Sequence, residues 1–528
     1  MKIAIITTYR HPTRLQIKER SVMQSSVPEL IASLCPADAE IELYNEKEGD
    51  IPLDRHWDLV FFSYLHSFYE HTKVLSTLFR SRGMVTVAGG RHASYYPDDC
   101  SNYFDAVVVG EPEGNISLLI EDFAKRRLKK IYRNPSAGAA AITPYRYDLI
   151  DFRSNRYRLP AIEATRGCPF SCSFCVLTGF EKFRCRPVKD VVDEIEFRMR
   201  FNKYHFGLFD NAFIFSDNNL GGSLRYLKEL CQALIPLRKT WGCALTMNIL
   251  RNAETVSLLA KAGCRYVYTG LESLNPESLS SVNKKHNRLS EVKAIIATCY
   301  RHGIILSFGM IIGLDGDTNQ YLERVPEYLD DLRAYSVTYL GLVCPYPETP
   351  LFRDLRQRRR LLPGLTIRDF DGYTLCHRPE RLSPSETIEH YRKLTQRLST
   401  SFRLAKFVGT KFWASAVPRY KLALLLLTRE LASIKVPTAN PKRTLLAGDA
   451  IEAWDETQMR SLGLEPQRIT SSAGLDAQTA PSGASVLYTA ADATSVPDAE
   501  AEGEQSSPRG RPARFARRGP SREDMGTL

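Results

Sequence analysis

Short apolar runs alternate with amphipathic stretches from the first residues onward. Lys2–Thr7, Asp58–Tyr64, Met84–Ala88 and Asp105–Val109 read as buried strands, and Glu40–Tyr44 alternates as a half-buried one. Between them His71–Arg82 and Asn115–Lys125 carry helical spacing, and Gly89-Gly90 closes the strand that ends at Ala88. Strands joined by helices of this length predict a parallel sheet covered on both faces, a doubly wound, flavodoxin-like unit over residues 1–130. Ligands of such sheets sit beyond the carboxyl ends of the strands, where Ser63, Gly89-Gly90 and Gly110-Glu111 fall.

The alternation pauses over a linker, 131–159, that contains Asn134-Pro-Ser-Ala-Gly-Ala-Ala-Ala, and restarts at Pro160. Strands are expected at Ala161–Thr165, His205–Asp210, Cys243–Met247, Tyr266–Thr269, Ile304–Ile312 and Val337–Val343. Helices are expected at Val188–Arg200, Asn219–Leu234, Ala253–Ala262, Ser290–Arg301 and Asn319–Leu332. Six strand-then-helix units over residues 160–360 predict a partial (βα)6 barrel with its chemistry at the strand C-terminal ends. The fold class is therefore α/β. Residues 361–465 form a helical C-terminal region, and 466–528, rich in Ala, Ser, Thr, Pro and Gly, a disordered tail. In the helical region Phe402, Phe407, Phe412, Trp413 and Leu422–Leu427 suit either a cap over a hydrophobic or polycyclic substrate or ordinary core packing.

The formal net charge of +11 changes this picture little. It is spread along the chain, with clusters at Arg356–Arg360 and Arg509–Arg518, and solvated helix faces and a basic tail account for it without a nucleic-acid partner. Met1-Lys2 leads at once into the strand-like Ile3-Ala4-Ile5-Ile6 rather than a secretory core. No apolar stretch approaches the ~20 residues of a transmembrane span. Twelve cysteines in such a chain imply a reducing, cytoplasmic setting rather than a disulfide framework.

Three of those cysteines stand together. Arg166-Gly-Cys168-Pro-Phe-Ser-Cys172-Ser-Phe-Cys175 spaces its thiols by three and then two residues, on a loop that follows a strand. Such a loop can wrap three thiolates around three corners of a cubane iron–sulfur cluster and leave the fourth iron open to a small-molecule chelator. Core cysteines, or a zinc site completed by Cys185, remain alternatives on spacing alone.

The Cys168-x-x-x-Cys172-x-x-Cys175 motif, with Phe174 before its last cysteine, resembles the cluster motif of the radical S-adenosylmethionine (SAM) superfamily. The resemblance runs over roughly residues 1–360, and the nearest subgroup carries an N-terminal cobalamin-binding domain: class B radical methylases and bacteriochlorophyll-type cyclases. Ala88-Gly-Gly-Arg-His-Ala, Val109-Gly-Glu111-Pro-Glu, Arg184-Cys-Arg-Pro-Val-Lys, Thr269-Gly-Leu-Glu272-Ser, Met310-Ile-Ile-Gly-Leu-Asp and Pro345-Tyr-Pro-Glu-Thr349 follow that subgroup's habits.

The resemblance implies a 4Fe–4S cluster on Cys168, Cys172 and Cys175, with SAM chelating the open iron. Phe174, Ile312 and Gly313 would border the adenine, and Gly270, Glu272 and Ser273 would face the ribose or methionyl part, unless the glycines only turn the chain and Glu272 pairs with a local base. It implies a 5′-deoxyadenosyl radical, a reductant protein such as flavodoxin or ferredoxin, and methyl transfer through cobalamin to an unactivated carbon of a small molecule.

The Asp-x-His-x-x-Gly motif of many cobalamin proteins is missing. Ser63, Gly89 and Gly90 are therefore the positions expected to meet the corrin, and His11, His66 and His92 read as surface histidines. Asp210-Asn211 suits a ligand contact or an Asx turn, and Cys185, Cys243, Cys264 and Cys344 suit buried structural thiols. A cobalamin-linked cyclase or rearrangement enzyme is the nearest rival, and a zinc-organised nucleic-acid binder the remoter one.

Overall fold

The computed structural model describes residues 1–9, 27–46, 49–133, 146, 149, 159–178, 182–199, 211–398 and 459–464. His11, the residues 201–210 expected to hold a strand, the aromatic segment after 398 and the tail lie outside them.

The first sheet contains β1 (Lys2–Thr7), β2 (Glu40–Asn45), β3 (Leu59–Ser63), β4 (Val85–Gly89), β5 (Ala106–Val109) and β6 (Ile131–Arg133). Its order is β2-β1-β3-β4-β5-β6, every pair parallel, so the flavodoxin-like order is extended by one edge strand. β6 was not legible because three residues are too few to carry a period.

One face packs Ile3, Ile5, Phe61 and Val87 against Ile31 of the helix Val27–Ser33 and Ile116, Leu119 and Ile120 of the helix Asn115–Ala124. The other face packs Ala4, Val60 and Phe62 against Leu75 and Phe79 of the helix Tyr69–Ser81. That second core also takes in Phe352, Leu355, Leu365, Ile367 and Phe370, which follow the last strand of the other sheet. Burying a Leu, Ile or Phe side chain is worth roughly 1.5–3 kcal/mol. The chain thus returns after its second sheet to fasten itself onto the first.

The second sheet contains β7 (Ala161–Ile162), β10 (Ala212–Phe215), β11 (Thr240–Ala244), β12 (Cys264–Glu272), β13 (Ile305–Ile312) and β14 (Val337–Leu342). They lie in sequence order and parallel, the pattern of successive βα units. Five of its helices are capped by Ser223, Asn252, Asn275, Thr318 and Thr349, each side chain accepting an N–H bond from the first turn. Phe213, Trp241, Val267, Phe308 and Met310 fill the core beneath those helices. Alternation places Tyr266, Tyr268, Ser307 and Gly309 on the opposite, inner face.

Several boundaries differ from the apolar pattern. The expected strand Ala161–Thr165 breaks, and β8 (Thr165–Arg166) turns away to pair antiparallel with β9 (Arg184–Cys185). The buried Asp217 carboxylate makes that turn by accepting the Ala164 N–H at 3.1 Å together with the N–H and hydroxyl of Thr165. The residues of the strand expected at His205–Asp210 lie outside the described ones, and a strand is observed directly after them at Ala212–Phe215. The helix expected from Asn219 begins only at Leu224, after Gly221-Gly222 and the Ser223 cap. Among the described residues, no helix is long and apolar enough to cross a membrane.

Candidate functional site

The cysteine loop lies at the C-terminal ends of the second sheet's strands and is held there by backbone bonds. Ser173 N donates to Val282 O at 3.1 Å, Leu351 N donates to Ser173 O at 2.9 Å, and the Asn283 amide donates to Ser171 O at 3.1 Å. Phe170 stacks on His286 with ring centroids 4.2 Å apart. Within the loop, Cys175 N donates to Cys172 O, and the Thr178 hydroxyl donates to that same carbonyl. Cys172 and Cys175 both feel the charge of Cys168. Burial pushes Cys172 up to about 11 and raises Cys175 too, while the ammonium of Lys284 pulls both the other way.

Lys284 is the residue that sequence reasoning missed. It is buried, and its Nζ lies 2.5 Å from Glu272 Oε1 and 5.9 Å from the centroid of Phe174. The pairing of Glu272 with a local base, foreseen as one reading of that residue, is thus realised. Glu272 ends β12 with φ +62, beside a register shift against β13. Gly270 lies opposite the pair, and a Cβ there would displace the Glu272 carboxylate and, at 2.7 Å, the Lys284 Nζ.

The other expected residues divide. Phe174 packs with Ile311, Leu314 and Val343 at the ends of β13 and β14, close to the trio's loop. The Ser273 hydroxyl is taken up by the Tyr321 hydroxyl at 2.9 Å and by Asn275 N. Ile312 points its side chain into the helix-facing core, so only its backbone lies toward the strand ends. Gly313 donates to Asp317 and accepts from His377 Nε2 at 3.0 Å. Asn211 is exposed and accepts from Lys239. Cys243, Cys264 and Cys344 are buried, and Cys185 is half-buried on the β8–β9 ribbon with its thiol pushed up to about 11 by burial.

The first sheet presents its own strand ends. Ser63 and Gly89 are register partners on β3 and β4, and Gly90 follows with φ +96. A Cβ at Gly90 would come within 2.6 Å of Tyr64 O, so glycine is needed there. His66 and His92 are not surface residues. Both are buried, with Nδ1 atoms 3.0 Å apart and His92 stacked on Tyr69 at 4.0 Å. Burial drives His66 down to about 3 and lowers His92, so both rings are neutral.

Residues 162–329 match the Radical SAM superfamily model. The chain carries a radical SAM domain. It is accordingly a radical SAM enzyme, and such a domain works with a 4Fe–4S cluster and SAM. The chain is 28% identical over 376 residues to bacteriochlorophyllide d C-12(1)-methyltransferase of Chlorobaculum tepidum, covering 69% of this chain and 80% of that one. Its fold is shared with the radical SAM methyltransferase TsrM of Kitasatospora setae, solved with cobalamin and a [4Fe-4S] cluster: TM-score 0.53, 18% identity, 74% and 85% coverage. The cobalamin-dependent SAM radical enzyme OxsB gives a TM-score of 0.61 at 14% identity, over 83% of this chain and 72% of that one.

The residues present fit those groups. Cys168, Cys172 and Cys175 are three free thiols on one loop, the donor type that iron–sulfur clusters take from proteins. The Asn219 amide donates to Cys168 Sγ at 3.7 Å. Near the trio and the strand ends, Asn219 Oδ1, Thr246 Oγ1, Asn248 Oδ1, Ser173 Oγ and Asn287 Oδ1 are buried with no hydrogen-bond partner among the described residues. Buried polar atoms are normally satisfied, so such a group of orphans suits a polar ligand such as SAM.

Proposed function

We propose that the chain is a cobalamin-dependent radical SAM C-methyltransferase acting on an unactivated carbon of a small, hydrophobic or polycyclic molecule, with Cys168, Cys172 and Cys175 holding the cluster. The observation that carries this reading is the meeting of two strand-end edges: the flavodoxin-like sheet's Gly89-Gly90 edge abuts the cysteine loop, Arg91 Nη1 donating to Val176 O at 2.9 Å. The similarity to bacteriochlorophyllide d C-12(1)-methyltransferase supports the methyl transfer.

Bound there, the cluster and SAM supply one-electron chemistry able to activate an inert C–H bond, and cobalamin supplies the methyl group. The chain's own residues bind and orient. Phe174 offers an aromatic face, the backbone at Ile312 and Gly313 borders the strand ends, Gly270 makes room for the Glu272–Lys284 pair, and that pair presents a carboxylate and an ammonium to polar groups of SAM. Ser63, Gly89 and Gly90 offer the corresponding open edge to cobalamin. On the inner barrel face the Tyr268 hydroxyl lies over Gly309 and the Tyr339 hydroxyl over Gly341 and Gly372. A reductant protein such as flavodoxin or ferredoxin would deliver the electron in the cytoplasm.

Anaerobic reconstitution with SAM and a reductant, with and without hydroxocobalamin, tests the reading. Methyl transfer requires both 5′-deoxyadenosine and S-adenosylhomocysteine, the latter only with cobalamin. Deoxyadenosine alone, with a product that gains no methyl group, would replace it with a cyclase or rearrangement.

A further inference from the structure

The cysteine loop is gripped from outside its own sheet at both ends. Ahead of Cys168, Arg166 is buried and spends its guanidinium on three carboxylates. Nη1 lies 2.8 Å from Glu111, Nη2 3.1 Å from Glu113, and Nε and Nη2 lie 2.8 and 2.7 Å from Glu163. Glu111 and Glu113 belong to the first sheet, in the loop that follows β5, and Glu111 also pairs with Arg184 of the β8–β9 ribbon. Behind Cys175, Arg91 of the first sheet donates to Val176 O.

The two arms are one unit. Gly110 N, next to Glu111, donates at 2.9 Å to Ser94 Oγ on the short helix that Arg91 opens. The direction in which Arg91 leaves is fixed by the positive φ of Gly90. A buried arginine is tolerated only when its charge and N–H groups are matched, and two of the three carboxylates that match Arg166 come from the other sheet.

We infer that Arg91, Glu111, Glu113 and Arg166 are positioning residues for the cluster: through them the first sheet clamps the cysteine loop and sets the place and electrostatic surroundings of its three thiols. The inference rests on the reading that Cys168, Cys172 and Cys175 hold the cluster. Because Val282, Asn283, His286 and Leu351 hold the loop independently, loosening the clamp alters the cluster without abolishing it.

The test uses full-length, anaerobically reconstituted protein and the variants Arg91→Ala, Arg91→Lys and Glu113→Gln. The readouts are iron content, the midpoint potential of the cluster, and the EPR spectrum of the reduced cluster with and without SAM. Removing the Arg91 cation makes the cluster harder to reduce and changes the SAM-dependent spectrum, and Arg91→Lys restores the potential. Neutralising Glu113 removes a negative charge and makes the cluster easier to reduce. A merely structural role would move both potentials the same way or neither, and either result with iron retained overturns the inference. Should Arg91→Ala fail to keep its iron, the sign of the Glu113→Gln shift decides alone. Wild-type protein that takes up no iron would instead sink the cluster reading on which this stands.

Discussion

Replacing Lys284 by methionine removes one partner of a buried ion pair while keeping most of the side-chain volume. The two charges stand 2.5 Å apart, and with an effective dielectric near 20 their gross attraction is about 7 kcal/mol. Desolvation of both groups offsets much of that in the native protein. The variant leaves the Glu272 carboxylate buried without its cation, and a broken buried pair typically costs about 3–5 kcal/mol. Urea unfolding followed by circular dichroism should show a loss of that size for Lys284→Met. The double variant Glu272→Gln/Lys284→Met, which buries no net charge, should recover about half of it. A loss below about 1 kcal/mol for the single variant would mean that the pair behaves as a solvated one, and the reading of Glu272–Lys284 as a buried ion pair would be refuted.

Gly90→Ala forces a Cβ against Tyr64 O at a backbone angle that L residues rarely adopt, which should cost roughly 1–3 kcal/mol in thermal unfolding and weaken hydroxocobalamin binding measured by absorbance. Asp217 is wholly buried and its carboxyl is raised to about 7. Since its pKa in the unfolded chain is near 3.8, the stabilisation it gives is full below that value and is lost as pH rises toward and through 7. Wild-type protein should therefore lose stability relative to Asp217→Asn between pH 5 and pH 8; an unchanged difference contradicts the assignment. Phe352→Ala, in the segment that returns onto the first sheet, should cost about 3–5 kcal/mol and shift the unfolding of both sheets together, whereas independent melting of the two would deny the shared core.

Much of this was readable from the chain because strands and thiols obey local rules. Buried parallel strands such as Lys2–Thr7 and Ile304–Ile312 announce themselves as apolar runs, and the three-thiol loop stands out by a spacing that needs no knowledge of the fold. What stayed hidden depends on distance in sequence. Lys284 sits in the polar stretch Val282-Asn-Lys-Lys-His and has no signature, since its partner Glu272 is twelve residues away across a helix. The Arg166–Glu113 pair spans 53 residues, and no periodicity reports it. His66 and His92 were misjudged because a lone histidine beside a loop looks solvated until Tyr64, Tyr69 and Tyr96 are seen to enclose it. The break of the strand at Thr165 was invisible because its cause, Asp217, lies beyond the ribbon it holds.

The central claim is that three thiols on one loop hold an iron–sulfur cluster whose remaining iron takes SAM. Anaerobically reconstituted wild-type protein should contain about four irons with matching sulfide, and its reduced EPR signal should change when SAM is added. The Cys168→Ala/Cys172→Ala/Cys175→Ala variant should lose both. Iron retained by that variant with its SAM response intact, or a single zinc in the wild-type protein, would contradict it.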